Sequence, residues 1–172
     1  MKNIIPFKGS YPKIGKNCYI APNAYIIGDV KIGDNCAIMF GAIIRGDVNY
    51  IRIGNNTNVQ DNAVLHVTRD KYPLIIGNNV SIGHGAIVHG CVIEDNVLIG
   101  IGAKVLDGAK IGENCIIAAG AVVRENSEFP SNSLVTGIPG KIKKTLNEKD
   151  IERIIFSAES YKITREDYLN EL

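Results

Sequence analysis

Residues 14–44 read IGKNCYIAPNAYIIGDVKIGDNCAIMFGAII, and one aliphatic residue returns every six positions: Ile14, Ile20, Ile26, Ile32, Ile38 and Ile44. The series resumes after an irregular stretch at Ile53, Val59 and Leu65, and again at Ile76, Ile82 and Val88. One step of five then leads to Ile93, Ile99, Val105, Ile111, Ile117 and Val123. Four residues after most of these rungs stands a small side chain, such as Cys18, Ala24, Cys36, Ala42, Val48, Thr57, Ala103 or Cys115. Gly, Asp and Asn often fill the positions between, and they tolerate the backbone angles of tight corners.

A period of six fits no α-helix, whose turn takes 3.6 residues, but it is a multiple of the strand period of two. Each hexad is therefore one short strand and a corner. The large aliphatic side chain points inward and the small one fits the crowded corner. Stacked coils pair their strands in parallel, ~4.8 Å apart, around a continuous aliphatic core. Composition suits this reading. Hydrophobic residues make up 45% of the 172, yet Trp is absent, aromatics are 6% and there are 18 glycines. A narrow core filled by aliphatics of one size needs no aromatic bulk.

Other functions are argued against at the same level. The net charge of +1 offers nothing to a nucleic acid. No apolar run is long enough for a signal peptide or for the ~20 residues of a membrane span, so a cytoplasmic protein with no membrane partner is expected. The four cysteines lack CxxC or paired spacing. Cys18, Cys36 and Cys115 fall on the small inward position, where a buried spacer explains them better than a redox or metal role.

The hexads resemble those of the known hexapeptide-repeat proteins. That resemblance implies three hexads per coil, a triangular prism, and left-handed coiling against the usual crossover rule. Eighteen rungs then make six coils. The expected fold is mainly β: a left-handed parallel β-helix over residues 1–145, then a C-terminal helical tail over 146–172 packing on it. Ile151, Ile154, Ile155 and Ala158 form a helical stripe within residues 147–160. Thr164-Arg165-Glu166-Asp167 reads as an N-cap opening a short last helix. Lys141–Lys144 reads as a solvated exit turn, and the prolines of Phe129–Pro139 mark the transition.

The three histidines, His66, His84 and His89, lie within one 24-residue stretch. With every third rung on one face, Ile44, Leu65 and Val88 share a face in successive coils. Arg45, His66 and His89 each follow these rungs, so they point outward in one column. His66 and His89 are one coil apart, close enough to reach one ion. His84 follows Ile82 by two residues and belongs to the preceding face, as does Gln60 one coil earlier. His84 should therefore point away from the His66/His89 column of its own chain, and a three-histidine site needs His84 from a neighbour. Prisms packed face against next face do this three times in a homotrimer. Neutral imidazoles suit zinc, with iron or cobalt as alternatives, and three protein ligands leave a fourth position for water.

Arg45-Gly46-Asp47, Asn58-Val59-Gln60-Asp61, His66, Gly83-His84-Gly85-Ala86 and His89-Gly90-Cys91 resemble the motif series of the gamma-class carbonic anhydrases and their close relatives, over roughly residues 10–145. The resemblance implies reversible hydration of CO2 to bicarbonate by a metal-bound hydroxide at trimer seams. It implies His66, His84 and His89 as metal ligands, Arg45 and Asp47 as an ion pair lining the pocket and holding the trimer, and Gln60 as a group that orients the bound water. Tyr161 matches a tyrosine of a family segment in the tail and would close the pocket, while Ser160 stands where the family has Asn. Val48 replaces a glutamate of the best-studied type, and the loop Val67–Leu74 is short, with Asp70 its one acid. Arg45-Gly46-Asp47 also spells a cell-adhesion tripeptide, which an intracellular chain would not use. Alternative readings are an acyltransferase or a CoA thioesterase on the same prism, and a non-catalytic scaffold whose histidines clip a structural metal.

Overall fold

The computed structural model describes residues 2–171; Met1 and Leu172, the outer ends of the two expected regions, lie outside the described residues. The chain forms a parallel β-solenoid of about seven turns, followed by one C-terminal helix. Strand register assigns the rungs to three faces. On the first, Ile14, Ile32, Ile53, Ile76, Ile93, Ile111 and Phe129 stack in order. On the second, Ile20, Ile38, Val59, Ile82, Ile99, Ile117 and Val135 do the same. On the third, Ile4 lies under Ile26, then come Ile44, Leu65, Val88, Val105 and Val123.

The structure corrects the expected count of six coils. Ile4, Phe129 and Val135 extend the columns beyond the hexads that the sequence shows, so Phe129–Pro139 still belongs largely to the solenoid. Val48 is also corrected. The strand Ile43–Ile53 shifts register after Gly46, and Ile51 rather than Val48 lies beside Val30. Val48 is half-buried and Ile51 fully buried. The residues between the two are looped out of the hexad frame, which frees Asp47 for the site. Cys91, outside the expected spacer set, is 1% exposed because it too stands at an inward corner.

The corner between the first and second faces is held by polar side chains. The Cys18, Cys36 and Cys115 thiols donate to the carbonyls of Gly33, Gly54 and Pro130, and the Thr57 hydroxyl donates to Gly77. Each satisfies a buried carbonyl of a corner that carries no regular ladder. All four cysteines are free thiols. At the same corner Asn17, Asn35, Asn56, Asn79, Asn96, Asn114 and Asn132 adopt φ between +53 and +62°, which their short polar side chains tolerate.

Two expectations for the tail are overturned. Lys141–Thr145 is a strand, antiparallel to Ser133–Thr136, and it closes the open end of the second face where an exit turn was expected. The helix runs unbroken over Glu148–Asn170. Thr164 is not an N-cap: its hydroxyl donates to the Ser160 carbonyl inside the helix, a bond that accommodates Thr in mid-helix. The true cap is Asn147, paired with Asp150 in a capping box. The helix descends the second face. Tyr161 meets His84, Arg165 donates to the Asn35 carbonyl, and Tyr168 stacks on Tyr19 at 4.7 Å. No helix among the described residues is long and apolar enough to cross a membrane.

Ile99 is fully buried on its rung, whereas Ile101, two residues on, is 59% exposed. Ile99→Ala is expected to cost about 2–5 kcal/mol and Ile101→Ala less than about 0.5 kcal/mol. Chemical denaturation of the two variants checks this; equal losses would contradict the register.

Candidate metal centre

The strand Ile87–His89 pairs with Val64–His66, so that His89 lies directly above His66. Their rings are 5.0 Å apart, and Nδ1 of His66 faces Nε2 of His89 at 3.0 Å. The other nitrogen of each ring meets a carboxylate. His66 Nε2 is 3.0 Å from Asp47 Oδ1, and His89 Nδ1 is 2.6 Å from Asp107 Oδ1. Asp47 also accepts from Arg45 at 2.5 Å, and Asp107 from the Thr68 hydroxyl at 2.6 Å. Gly46, between Arg45 and Asp47, packs against the coil below, where a Cβ would sit 2.7 Å from the Asp29 carbonyl oxygen. Arg45, Asp47, His66, His89, Asp107 and Thr68 thus form one connected chain of contacts.

These carboxylates fix the tautomers. A ring nitrogen facing a carboxylate carries the proton, which leaves the opposite nitrogen as a lone pair. With both protons on the carboxylate side, Nδ1 of His66 and Nε2 of His89 face each other as acceptors at 3.0 Å, a contact that a shared proton or a cation relieves. Burial, partly offset by Asp47, holds His66 below the usual imidazole range, which favours its neutral form. Burial alone would raise the Asp47 carboxyl, but hydrogen bonds from His66 and Arg45 outweigh it and hold the group below the usual carboxylate range.

His84 stands apart from this pair on its own chain, at the edge of the second face, where Gly85 turns the corner at φ +64°. Its Nδ1 is 2.8 Å from Asp61 Oδ2, and its Nε2 is 3.4 Å from the Tyr161 hydroxyl. Burial, then the nearby Asp61 charge, pushes the Tyr161 phenol up to about 12, so it stays protonated and donates. Gln60 is buried on the same face, and its amide donates to Asn58 at 3.0 Å. One chain therefore holds two separate clusters. Arg45, Asp47, His66 and His89 make one; Gln60, His84 and Tyr161 make the other. Among the described residues of one chain, no three His, Cys, Asp or Glu side chains are placed to hold an ion together.

Two carboxylates that hold these histidines, Asp61 and Asp107, are absent from the sequence-derived set. Asp61 adjoins Gln60 within the motif Asn58-Val59-Gln60-Asp61, where nothing in the sequence sets it apart. Asp107 follows its rung Val105 by two residues rather than one, so a column read at the +1 position passes over it.

The family model for the bacterial transferase hexapeptide (six repeats) matches residues 11–46 and 90–125. A probable carbonic anhydrase of Methanocaldococcus jannaschii is 55% identical over 148 residues, covering 86% of this chain and 92% of that protein. The chain belongs to the gamma-class carbonic anhydrase-like family of hexapeptide-repeat proteins. Gamma carbonic anhydrase 2, mitochondrial, of Arabidopsis thaliana is 40% identical over 87% of the chain, and the chain spans only 56% of that relative's length. Among solved structures of the same fold, one described as a putative acetyltransferase of Bacillus cereus superposes with a TM-score of 0.96 at 38% identity, covering 98% of each chain.

In this gamma-class chain, each of the three histidines has one ring nitrogen on an aspartate. Histidine 15N NMR is expected to show His84 and His89 protonated at Nδ1. An Nε2–H tautomer at either residue would contradict the assigned roles of Asp61 and Asp107.

Proposed function

We propose that the chain is a metal-dependent gamma carbonic anhydrase-like enzyme that interconverts CO2 and bicarbonate at seams between the chains of a homotrimer. The observation that carries this reading is the approach of His66 Nδ1 and His89 Nε2 to 3.0 Å, with a carboxylate on the far side of each ring. Two acceptors at that distance repel unless a proton or a metal cation lies between or beside them. The donor set fits zinc: two nitrogens bound at ~2.05 Å with a tetrahedral angle lie ~3.3 Å apart. A carboxylate behind each histidine is the usual support of a metal-bound imidazole, orienting the ring and raising its basicity.

His66 and His89 would supply two ligands from one chain and His84 the third from its neighbour. Asp61 holds His84 with Nε2 outward, and Tyr161 occupies that nitrogen in the single chain. Association would move His84 Nε2 from the tyrosine hydroxyl to the ion and leave that hydroxyl free to donate into the pocket. A bound divalent ion of this kind lowers the pKa of a coordinated water to ~7, which supplies a nucleophile at neutral pH. Gln60 would orient the attacking oxygen through its amide. Arg45 keeps its guanidinium at the pocket edge, where 43% exposure leaves donors free for an anionic product. Asp47 ties Arg45 to His66, so one carboxylate serves both the cation and the ligand. The carbonic anhydrase relatives support CO2 as substrate. An acyltransferase that needs a single histidine base leaves the facing lone pairs of His66 and His89 unexplained.

Mixing His66→Ala and His84→Ala chains and letting the subunits exchange is expected to restore up to ~25% of wild-type CO2 hydration, because each intact site then draws one half from each parent. Recovery at background level would contradict the shared site. The Asp107→Asn protein is expected to hold zinc ~10–100-fold more weakly in competition with a chelator, and unchanged affinity would remove Asp107 from the account.

A further inference from the structure

The helix buries Ile154 and Ala158, and a groove of about 490 Å³ runs beside it along the second face, lined from the helix by Arg153 and Ser157. Its floor is set by register. Leu98, Ile116 and Leu134 stack in one outward column at successive coils. The positions just past the rungs are Gly83, Gly100 and Ala118, whose small side chains leave a trough beside that column. The lower end of the groove is closed by His84 and Gln60. Arg153 lines it from the helix. Eight residues separate Arg153 from Tyr161, which meets His84, so Arg153 stands ~12 Å further up the groove. No acidic side chain lines the groove, and among the described residues Arg153 forms no ion pair.

CO2 does not account for this space. It is only slightly larger than a water molecule, whose share of liquid volume is ~30 Å³. Cavities of ~300–1,000 Å³ lined by apolar side chains with a few placed polar groups hold ligands of drug size. We propose that the groove binds a linear aliphatic carboxylate of medium chain length, with the carboxylate on Arg153 and the chain along Leu134, Ile116 and Leu98 towards His84. One cation at one end and an uncharged apolar trough in between match that chemistry: a guanidinium takes a carboxylate through two parallel hydrogen bonds, and the trough takes methylenes. The groove ends on His84 and Gln60 of the proposed metal site, but a carboxylate on Arg153 needs no metal, so octanoate binding by metal-free protein separates this proposal from the carbonic anhydrase reading.

Calorimetric titration of the assembled full-length protein with hexanoate, octanoate and decanoate tests this. Affinity is expected to rise about 3–4-fold per added methylene until the groove is full. Arg153→Gln should weaken octanoate about 3–10-fold. Ala118→Trp, which fills the trough from an outward position, should abolish binding in a protein whose far-ultraviolet circular dichroism matches the wild type. Octanoate binding that survives Ala118→Trp would overturn the proposal, as would 1-octanol binding as tightly as octanoate. The absence of any octanoate signal at millimolar concentration, which is the result if a neighbouring copy covers the groove, would overturn it too.

Discussion

Everything in this molecule depends on backbone pairing from one coil to the next. Bonds such as Val64 N–H to Ala86 carbonyl at 2.9 Å, Ser81 to Val97 at 2.9 Å and Ile87 to Ala103 at 2.9 Å recur on every face. They leave no freedom of register, because a slip of one residue would turn every rung outward. The aliphatic core and the outward columns are thus two readings of one index. His66 and His89 lie one above the other for the same reason that Leu65 and Val88 do.

Upon this rigid index the site is built by carboxylates. Asp47, Asp61 and Asp107 each meet one histidine, and each is held in turn by a second partner: Arg45, the Phe40 backbone N–H, or Thr68. The lone pairs that remain are directed by contacts on both sides of the ring. Such preorganisation would leave little to rearrange on binding of the proposed cation. The separation of the two clusters also follows from the index. His84 lies on the second face and His66 and His89 on the third, so one prism does not bring them together.

Much of this was legible in the sequence, and the exceptions have physical causes. The hexad period exposed the core, the faces and the separation of His84 from the His66/His89 column, because a solenoid maps sequence position directly to direction. It failed where the chain leaves that map. Val48 was read as a corner spacer because the loop after Gly46 adds residues that a step of six does not see. Phe129 and Val135 were missed as rungs beside the prolines of that segment. Lys141–Thr145 shows no strand pattern, since all five of its residues are exposed and its pairing is supplied by Ser133–Thr136. Thr164 resembles an N-cap in isolation, but its hydroxyl bonds backward within a helix already running. Asp107 carries no local signal, because its role exists only through a histidine one coil away.

The central claim is that three histidines from two chains hold one ion. Elemental analysis of protein purified without chelators or a histidine tag, beside a His84→Ala control, tests it most directly. About one zinc, iron or cobalt per chain is expected in the wild type and close to none in the variant, although His66 and His89 are intact in both. A wild-type protein that takes up no metal even after reconstitution, or a His84→Ala protein that retains its full complement, would contradict the account.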